Sequence, residues 1–255
     1  MYLTPICQAF GLEKIRLIAT DMDGTLTQEG KFTVSMFQCL EALAEAGFYV
    51  IIVTGRSAGW VNGLNTYLPV TGAIAENGGL YYSSKIETPE ILSSIPNLNQ
   101  HRQQLLETFQ FLQQFYPQLQ ESTDNAFRLT DWTFDVKGLT PQQLQHLNIL
   151  CQEKGWSFTY STVQCHIKPR QQDKAASLQK VINSYFPKIT SKEILTVGDS
   201  PNDESLFNAS LFPHSVGVAN IQHYTSQLKH CPVYVTPSAE GKGFQELTQY
   251  LLSYR

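Results

Sequence analysis

The sequence predicts an α/β protein: a doubly wound, mainly parallel sheet interrupted by a smaller α+β unit. Three observations carry that expectation. Short apolar runs alternate with helical patterns at both ends of the chain. Those runs are continuous rather than alternating, as strands buried on both faces are. The middle of the chain abandons this rhythm for paired strands and amphipathic helices. The changes fall near Ser84 and Pro169, which gives a core from 1–83 and 169–255 and an insert over 84–168.

In chain order, "IRLIAT" is the first strand, and "TVSMFQCLEALAEAG" has helical spacing that stops at Gly47. "FYVIIVTG" is a second strand rich in β-branched residues, "SAGWVNGLNTYL" a weaker helix, and "GAIAENGG" a third strand running into a glycine turn. After the polar stretch "SSKIETPEILSSIPNLNQ", the insert opens on the glutamine-rich amphipathic helix "HRQQLLETFQFLQQF". "NAFRLTDWTFDVKG" reads as two paired strands around Thr130–Asp131. "TPQQLQHLNILCQEKG" is a helix with Pro141 in its first turn and Gly155 at its end, and "WSFTY" with "VQCHIKP" makes a second strand pair. From Pro169 the core pattern resumes. A helix through "DKAASLQKVINSYF" carries Leu178, Val181, Ile182 and Tyr185 on one face. "EILTVGDS", "SVGVAN" and "VYVT" are strands, and "GFQELTQYLL" is the closing helix.

Composition narrows the function classes. Of 255 residues, 42% are hydrophobic and 16% charged, ordinary for a packed globular protein, and the net charge of -4 gives no support to nucleic-acid or anionic-membrane binding. No apolar run approaches the roughly 18–20 residues of a membrane span. The opening "MYLTPICQAFGLEK" lacks the basic and continuous apolar segments of a secretion signal, so a cytoplasmic location is expected. Five scattered cysteines without a C-x-x-C suit a reducing compartment and read as small, partly buried side chains.

Three polar signals follow three core strands: Asp21 and Asp23 in "DMDGTLT", Thr54-Gly55-Arg56, and Asp199 after "EILTVG". In open α/β sheets, ligands bind at the carboxyl ends of the strands, so these residues are expected to meet. One aspartate after a strand is commonly a turn or a helix cap. Three at one edge suggest a bound hard cation that relieves their mutual repulsion. Lys174 lies in the first turn of its helix, where the macrodipole disfavours a cation by about 0.3–1 kcal/mol unless an anion sits there too. The two poles suit a divalent cation and a phosphate, and magnesium is the expected cofactor.

"DMDGTL", "TGR", a lysine opening a later helix and "GDSPND", in that order, resemble the four motifs of the haloacid dehalogenase-like (HAD) phosphatases. "ENGG" and "VGVAN" resemble the Cof-type branch. The insert between the second and third motifs stands where that branch carries its class II cap, and its form is closer to the sucrose-phosphatase and archaeal phosphoglycolate-phosphatase types. The resemblance implies a Rossmann-like core and a magnesium-dependent phosphatase of a small phosphorylated metabolite, a sugar phosphate or phosphoglycolate-like compound. It makes Asp21 the nucleophile, forming an aspartyl-phosphate, and Asp23 the acid/base. It assigns magnesium to the Asp21 side chain, the Asp23 backbone carbonyl and Asp199, with Asp203 as a further ligand or a support to one. Thr54, Gly55, Lys174 and Asn202 would hold the phosphoryl oxygens, with Lys168 and Lys180 as competitors for the lysine role.

The leaving group falls to the insert. Arg128, Asp131, Lys137 and His166 are its candidate site-facing residues, each also readable as solvated surface. Strand alternation puts Val163, Cys165 and Ile167 on one face, towards the insert's helices, and Gln164, His166 and Lys168 on the other, towards the cleft. Trp132, Trp156 and "FTY" read as the insert's own packing. A phosphomutase, a catalytically silent sugar-phosphate-binding protein and a phospho-receiver module are the competing classes. The receiver is disfavoured by the length of the chain and by the insert. No obligatory protein partner is inferred.

Overall fold

The computed structural model describes residues 3–161 and 163–255. In chain order its elements are β1 (Thr4–Pro5), β2 (Leu17–Thr20), α1 (Val34–Glu45), β3 (Tyr49–Val53), α2 (Ala58–Tyr67), β4 (Gly72–Ala75), β5 (Leu80–Tyr82), β6 (Glu90–Ile91), α3 (Leu98–Phe115), β7 (Trp132–Asp135), α4 (Pro141–Glu153), β8 (Ser157–Tyr160), β9 (Gln164–Lys168), α5 (Lys174–Tyr185), β10 (Ile194–Gly198), β11 (His214–Gly217), β12 (Tyr234–Val235) and α6 (Glu240–Leu252).

Strands with apolar residues on both faces occupy the middle of a nine-stranded sheet ordered β1-β12-β11-β10-β2-β3-β4-β5-β6. The pairs from β1 to β4 are parallel, and β5 and β6 add antiparallel at one edge. Alternate residues of one strand serve opposite layers. Ile18 packs with Leu40, Val61 and Leu247 of α1, α2 and α6, while Leu17 and Ala19 pack with Leu178 and Val181 of α5. Helices on both faces are what continuous apolar strands require. The expected α/β class is the one observed. Helix α1 starts where the Thr33 hydroxyl accepts from the Met36 N–H at 3.2 Å and stops before Gly47, whose φ of +82° lies in the left-handed region.

The insert forms its own three-stranded antiparallel sheet, ordered β7-β9-β8, with α3 and α4 on one face. Its core contains Leu105, Phe109, Phe134, Leu147, Cys165 and Ile167, and Trp132, Trp156, Phe158 and Tyr160 pack there too. The Thr140–Gln143 capping box starts α4.

Three details depart from the sequence reading. The first of the two strands expected in "NAFRLTDWTFDVKG" is absent: Thr123–Phe127 is a 3-10 turn. Backbone at Gln120–Ser122 bridges this edge of β7 at Glu121 and Phe134, and the Asn125 side chain adds to it, donating to the Thr133 carbonyl at 2.8 Å and accepting its N–H at 2.9 Å. Second, the polar stretch after Ser84 contributes β6 to the large sheet. Third, Val163 precedes β9 and lines the cleft rather than joining Cys165 and Ile167 in the insert's core. Among the described residues no helix is long and apolar enough to cross a membrane.

Candidate active site

Neighbouring parallel strands bring the three signals side by side. Strand β2 lies between β10 and β3, so Asp21 follows β2 with Asp199 on one side and Thr54 on the other. The Asp21 N–H extends the ladder to the Val197 carbonyl at 2.9 Å, fixing the residue at the strand exit.

Asp21, Asp199 and Asp203 are buried, and each offers a carboxylate oxygen within 4.8 Å of the others. Lys174 Nζ donates to Asp21 and to Asp203, both at 2.6 Å. The rival lysines are engaged elsewhere: Lys168 donates to the Gln172 carbonyl, and Lys180 to the Leu92 carbonyl at 2.8 Å. Asp203 is held by the N–H groups of Asp199 and Ser200 at 3.0 and 3.2 Å, and Asp199 accepts from Thr25 Oγ1 at 3.2 Å and Asn220 Nδ2 at 2.7 Å. Gly24 passes so close that a side chain there would meet Asp199 Oδ2 at 2.5 Å, and its φ of +81° also favours glycine.

One ammonium does not balance three carboxylates. Burial, then the charge of Asp203, pushes the Asp21 carboxyl up to about 7 against the opposing pull of Lys174. Burial, then Asp21 and Asp203, raises Asp199 as well. A cluster of oxygen donors with excess negative charge and no histidine or thiolate fits a hard divalent cation.

Asp23 sits at the rim, gripped by Arg56 through Nε at 2.8 Å and Nη2 at 2.5 Å. Thr54 is buried, and its hydroxyl accepts from the Arg56 N–H at 3.2 Å. Asn202 donates to Asn77 Oδ1 at 3.2 Å. Asp21, Asp23, Thr54, Gly55, Asn202 and His166 all line one small cavity of about 10 Å3.

From the insert, His166 reaches this cavity, and its Nδ1 pairs with Asp131 Oδ2 at 2.8 Å. Arg128 is wholly buried and spans the two units: Nη1 donates to Asp131 Oδ1 and to the Gly55 carbonyl, both at 2.9 Å. Burial alone would raise Asp131, but Arg128 and His166 more than offset this and hold it below the usual carboxylate range. Lys137 is exposed in the turn after β7 and lies outside the cavity. The strand ends at Asp135, two residues before it.

Two contributors lie in motifs that the sequence marks but received no role from it. Arg56 followed Thr54-Gly55 at the same edge, so its meeting with Asp23 was available from strand order. Glu76 has from the sequence only the "ENGG" resemblance, which points to no partner. It lies buried in a left-handed turn with φ +53° and accepts from the N–H groups of Ala58 at 2.9 Å, Leu129 at 3.0 Å and Thr130 at 2.6 Å, tying the insert to the core.

Residues 14–250 match the family described as sucrose-6F-phosphate phosphohydrolase. Phosphoglycolate phosphatase 1 of Saccharolobus solfataricus is 27% identical over 246 residues, covering 93% of this chain and 96% of its own. The phosphoglycolate phosphatase of Metallosphaera sedula is 27% identical over 244 residues, 94% of this chain and 100% of its own. A Thermoplasma acidophilum crystal structure superposes with a TM-score of 0.73 at 21% identity, over 93% of this chain and 98% of that one. The sucrose-phosphatase of Synechocystis sp. PCC6803, solved with sucrose and phosphate, gives 0.66 at 17%, over 92% and 97%. The chain belongs to the sucrose-6F-phosphate phosphohydrolase family, within the haloacid dehalogenase-like phosphatases.

Proposed function

We propose that the chain hydrolyses a small phosphorylated metabolite, a sugar phosphate or a phosphoglycolate-like compound, through an aspartyl-phosphate on Asp21 and with magnesium. The observation that carries this reading is the placement of Asp21 between Asp199 and Thr54 with Lys174 Nζ at 2.6 Å. The named activities of the relatives, on phosphoglycolate and sucrose phosphate, support the substrate class.

In the first step an Asp21 oxygen attacks phosphorus, and the bond to the leaving oxygen breaks as Asp23 supplies that oxygen with a proton. In the second, the Asp23 carboxylate removes a proton from water, whose oxygen attacks the phosphoryl group, releasing phosphate and restoring Asp21. Lys174, the Thr54 hydroxyl, the Gly55 backbone and Asn202 hold the phosphoryl oxygens and offset their developing charge. Arg56 fixes Asp23 at the rim, where the leaving oxygen departs. Asp21, Asp199 and Asp203 side chains and the Asp23 carbonyl would hold magnesium, which when bound neutralises phosphoryl charge and keeps Asp21 ionised. Residues 1–83 and 169–255, together with β6, form the catalytic core in this reading, and the rest of 84–168 is its cap.

The test is turnover of p-nitrophenyl phosphate with and without magnesium, in the wild type and in Asp21→Asn. The amide cannot act as nucleophile, so turnover is expected to vanish in a folded variant. Substantial activity in purified Asp21→Asn would refute the covalent route. Release of inorganic phosphate without a bisphosphate activator separates hydrolysis from mutase action.

A further inference from the structure

Every N–H of Arg128 has an acceptor inside the protein. Nε and Nη2 bind the two oxygens of Asp124 at 3.3 and 2.9 Å, and Nη2 also binds Gln164 at 2.9 Å. Nη1 binds Asp131 Oδ1 and the Gly55 carbonyl, both at 2.9 Å. A guanidinium has five N–H donors in a fixed fork, so none remains for a substrate. A wholly buried charge cluster of this kind is also a poor source of stability, because well-packed apolar side chains commonly do as well. Asp124, Asp131 and Gln164 all belong to the insert. Only the bond to Gly55 reaches the core.

Gly55 is the middle of three residues whose carbonyls are all held. The Thr54 carbonyl accepts from the Asn77 N–H at 2.9 Å, and the Arg56 carbonyl from the Glu76 N–H at 3.0 Å. Those two anchors are core backbone; the middle one is Arg128. The Gly55 carbonyl and the Arg56 N–H share one planar peptide. That N–H donates to Thr54 Oγ1 at 3.2 Å, so the plane is pinned at both edges. Pinning it settles two donors. The Thr54 hydroxyl accepts from Arg56 and keeps its own proton to give. The Thr54 N–H is used on the Ile74 carbonyl at 2.9 Å, whereas the Gly55 N–H has no partner among the described residues. Glycine has little backbone stiffness of its own, so without the middle anchor this N–H is free to turn away.

We propose that Arg128 is a positioning residue: by holding the Gly55 carbonyl from the insert, it aims the Gly55 N–H and the Thr54 hydroxyl at the transferring phosphoryl group. This rests on the phosphatase reading above. Donors stabilise developing phosphoryl charge best when they need no reorganisation at the moment of reaction. The same pinned peptide carries Arg56, whose side chain grips Asp23, so the acid/base group is steadied as well. Glu76 delivers Arg128 to its place. Its N–H holds the Arg56 carbonyl while its carboxylate holds the N–H groups of Leu129 and Thr130.

The experiment uses Arg128→Lys, which keeps a cation among the acids but loses the fork. Two kinetic probes give the insert little or nothing to recognise: p-nitrophenyl phosphate as substrate and orthovanadate, which has no leaving group, as competitive inhibitor. In magnesium the variant should lose about 10- to 100-fold in kcat/KM, mainly in kcat, and vanadate should weaken by a similar factor. The Gly55 amide resonance should move when vanadate binds the wild type, and move much less in the variant. Should thermal unfolding show Arg128→Lys misfolded, the double variant Arg128→Met, Asp131→Asn carries the same comparison, since it removes the buried cation and a partner carboxylate together. A folded variant within threefold of wild type on both probes overturns the proposal; losses confined to other phosphoesters would return Arg128 to reading the leaving group. So does a kinetic loss with the Gly55 resonance responding as in the wild type, which would place the damage elsewhere. Failure of the wild type to hydrolyse p-nitrophenyl phosphate with magnesium would instead overturn the phosphatase reading itself.

Discussion

Removing the metal should make stability fall as pH rises from 5 to 8. The Asp21 carboxyl moves from an unfolded value of 3.8 to about 7 in the fold, through burial first and Asp203 second. Between those values the folded state binds more protons than the unfolded chain, so ionisation disfavours the fold. The full shift corresponds to about 4 kcal/mol, of which the smaller part is already lost by pH 5 and most of the rest by pH 8. Asp199 is raised for the same reasons and acts in the same direction. Magnesium binds the ionised cluster and should cancel this loss. Thermal unfolding in magnesium and in chelator at each pH isolates the effect from the rest of the protein's titration. The magnesium increment in Tm should be larger at pH 8, by roughly 5–10 °C, and Asp21→Asn should remove most of the difference. An equal increment at both pH values would refute the account of the cluster as an uncompensated buried charge.

Asp199→Ala should raise the magnesium requirement or remove turnover, and calcium should inhibit because its looser coordination misplaces the attacking carboxylate; both are read from phosphate release against metal concentration. Full activity after exhaustive chelation would contradict this. Gly55→Ala would put a methyl group 3.0 Å from both Asn77 Nδ2 and His166 Cε1, so kcat/KM should drop about tenfold, with a stability loss of about 1–3 kcal/mol; unchanged kinetics would show that the cap does not rest here. Glu76→Gln turns an amide donor towards a set of N–H donors and should cost about 3 kcal/mol in a denaturant titration. A midpoint within error of wild type would show that this tie carries no stability.

The sheet and the polar residues at its edge were legible because each follows from a local pattern plus one topological rule. A buried apolar run is a strand, and its carboxyl end faces the crevice. Strand order then decides which residues become neighbours, so Asp21, Thr54 and Asp199 could be grouped before their distances were known. Lys174 was legible as a cation at a helix start. What resisted was pairing set by side chains rather than by period. Asn125 binds the Thr133 backbone through its side chain from within a 3-10 turn, where a strand was expected. Glu76 collects backbone donors from the insert while sitting in a glycine turn that reads only as a chain reversal. Arg128 and Asp131 read as residues facing the cleft or as solvated surface of the insert, yet they neutralise one another inside the protein. These contacts join segments far apart in sequence, and no periodicity records them.

The order of strands also dictates when the sheet can close. β2 is central, with Leu17 opposite Tyr49 on one side and Ile194 on the other. The first neighbour is synthesised soon after it; the second arrives only once the whole insert has been made. Until then the growing chain carries an unpaired edge along Leu17–Thr20, with apolar side chains on both faces, the arrangement most open to pairing with another chain. Such distant pairing makes folding slow relative to domains of local contacts. The insert, whose three strands and two helices lie within one stretch, can assemble first and wait. A chain ending before Ile194 should accordingly aggregate, while one reaching past Gly198 has gained the strand that covers the edge.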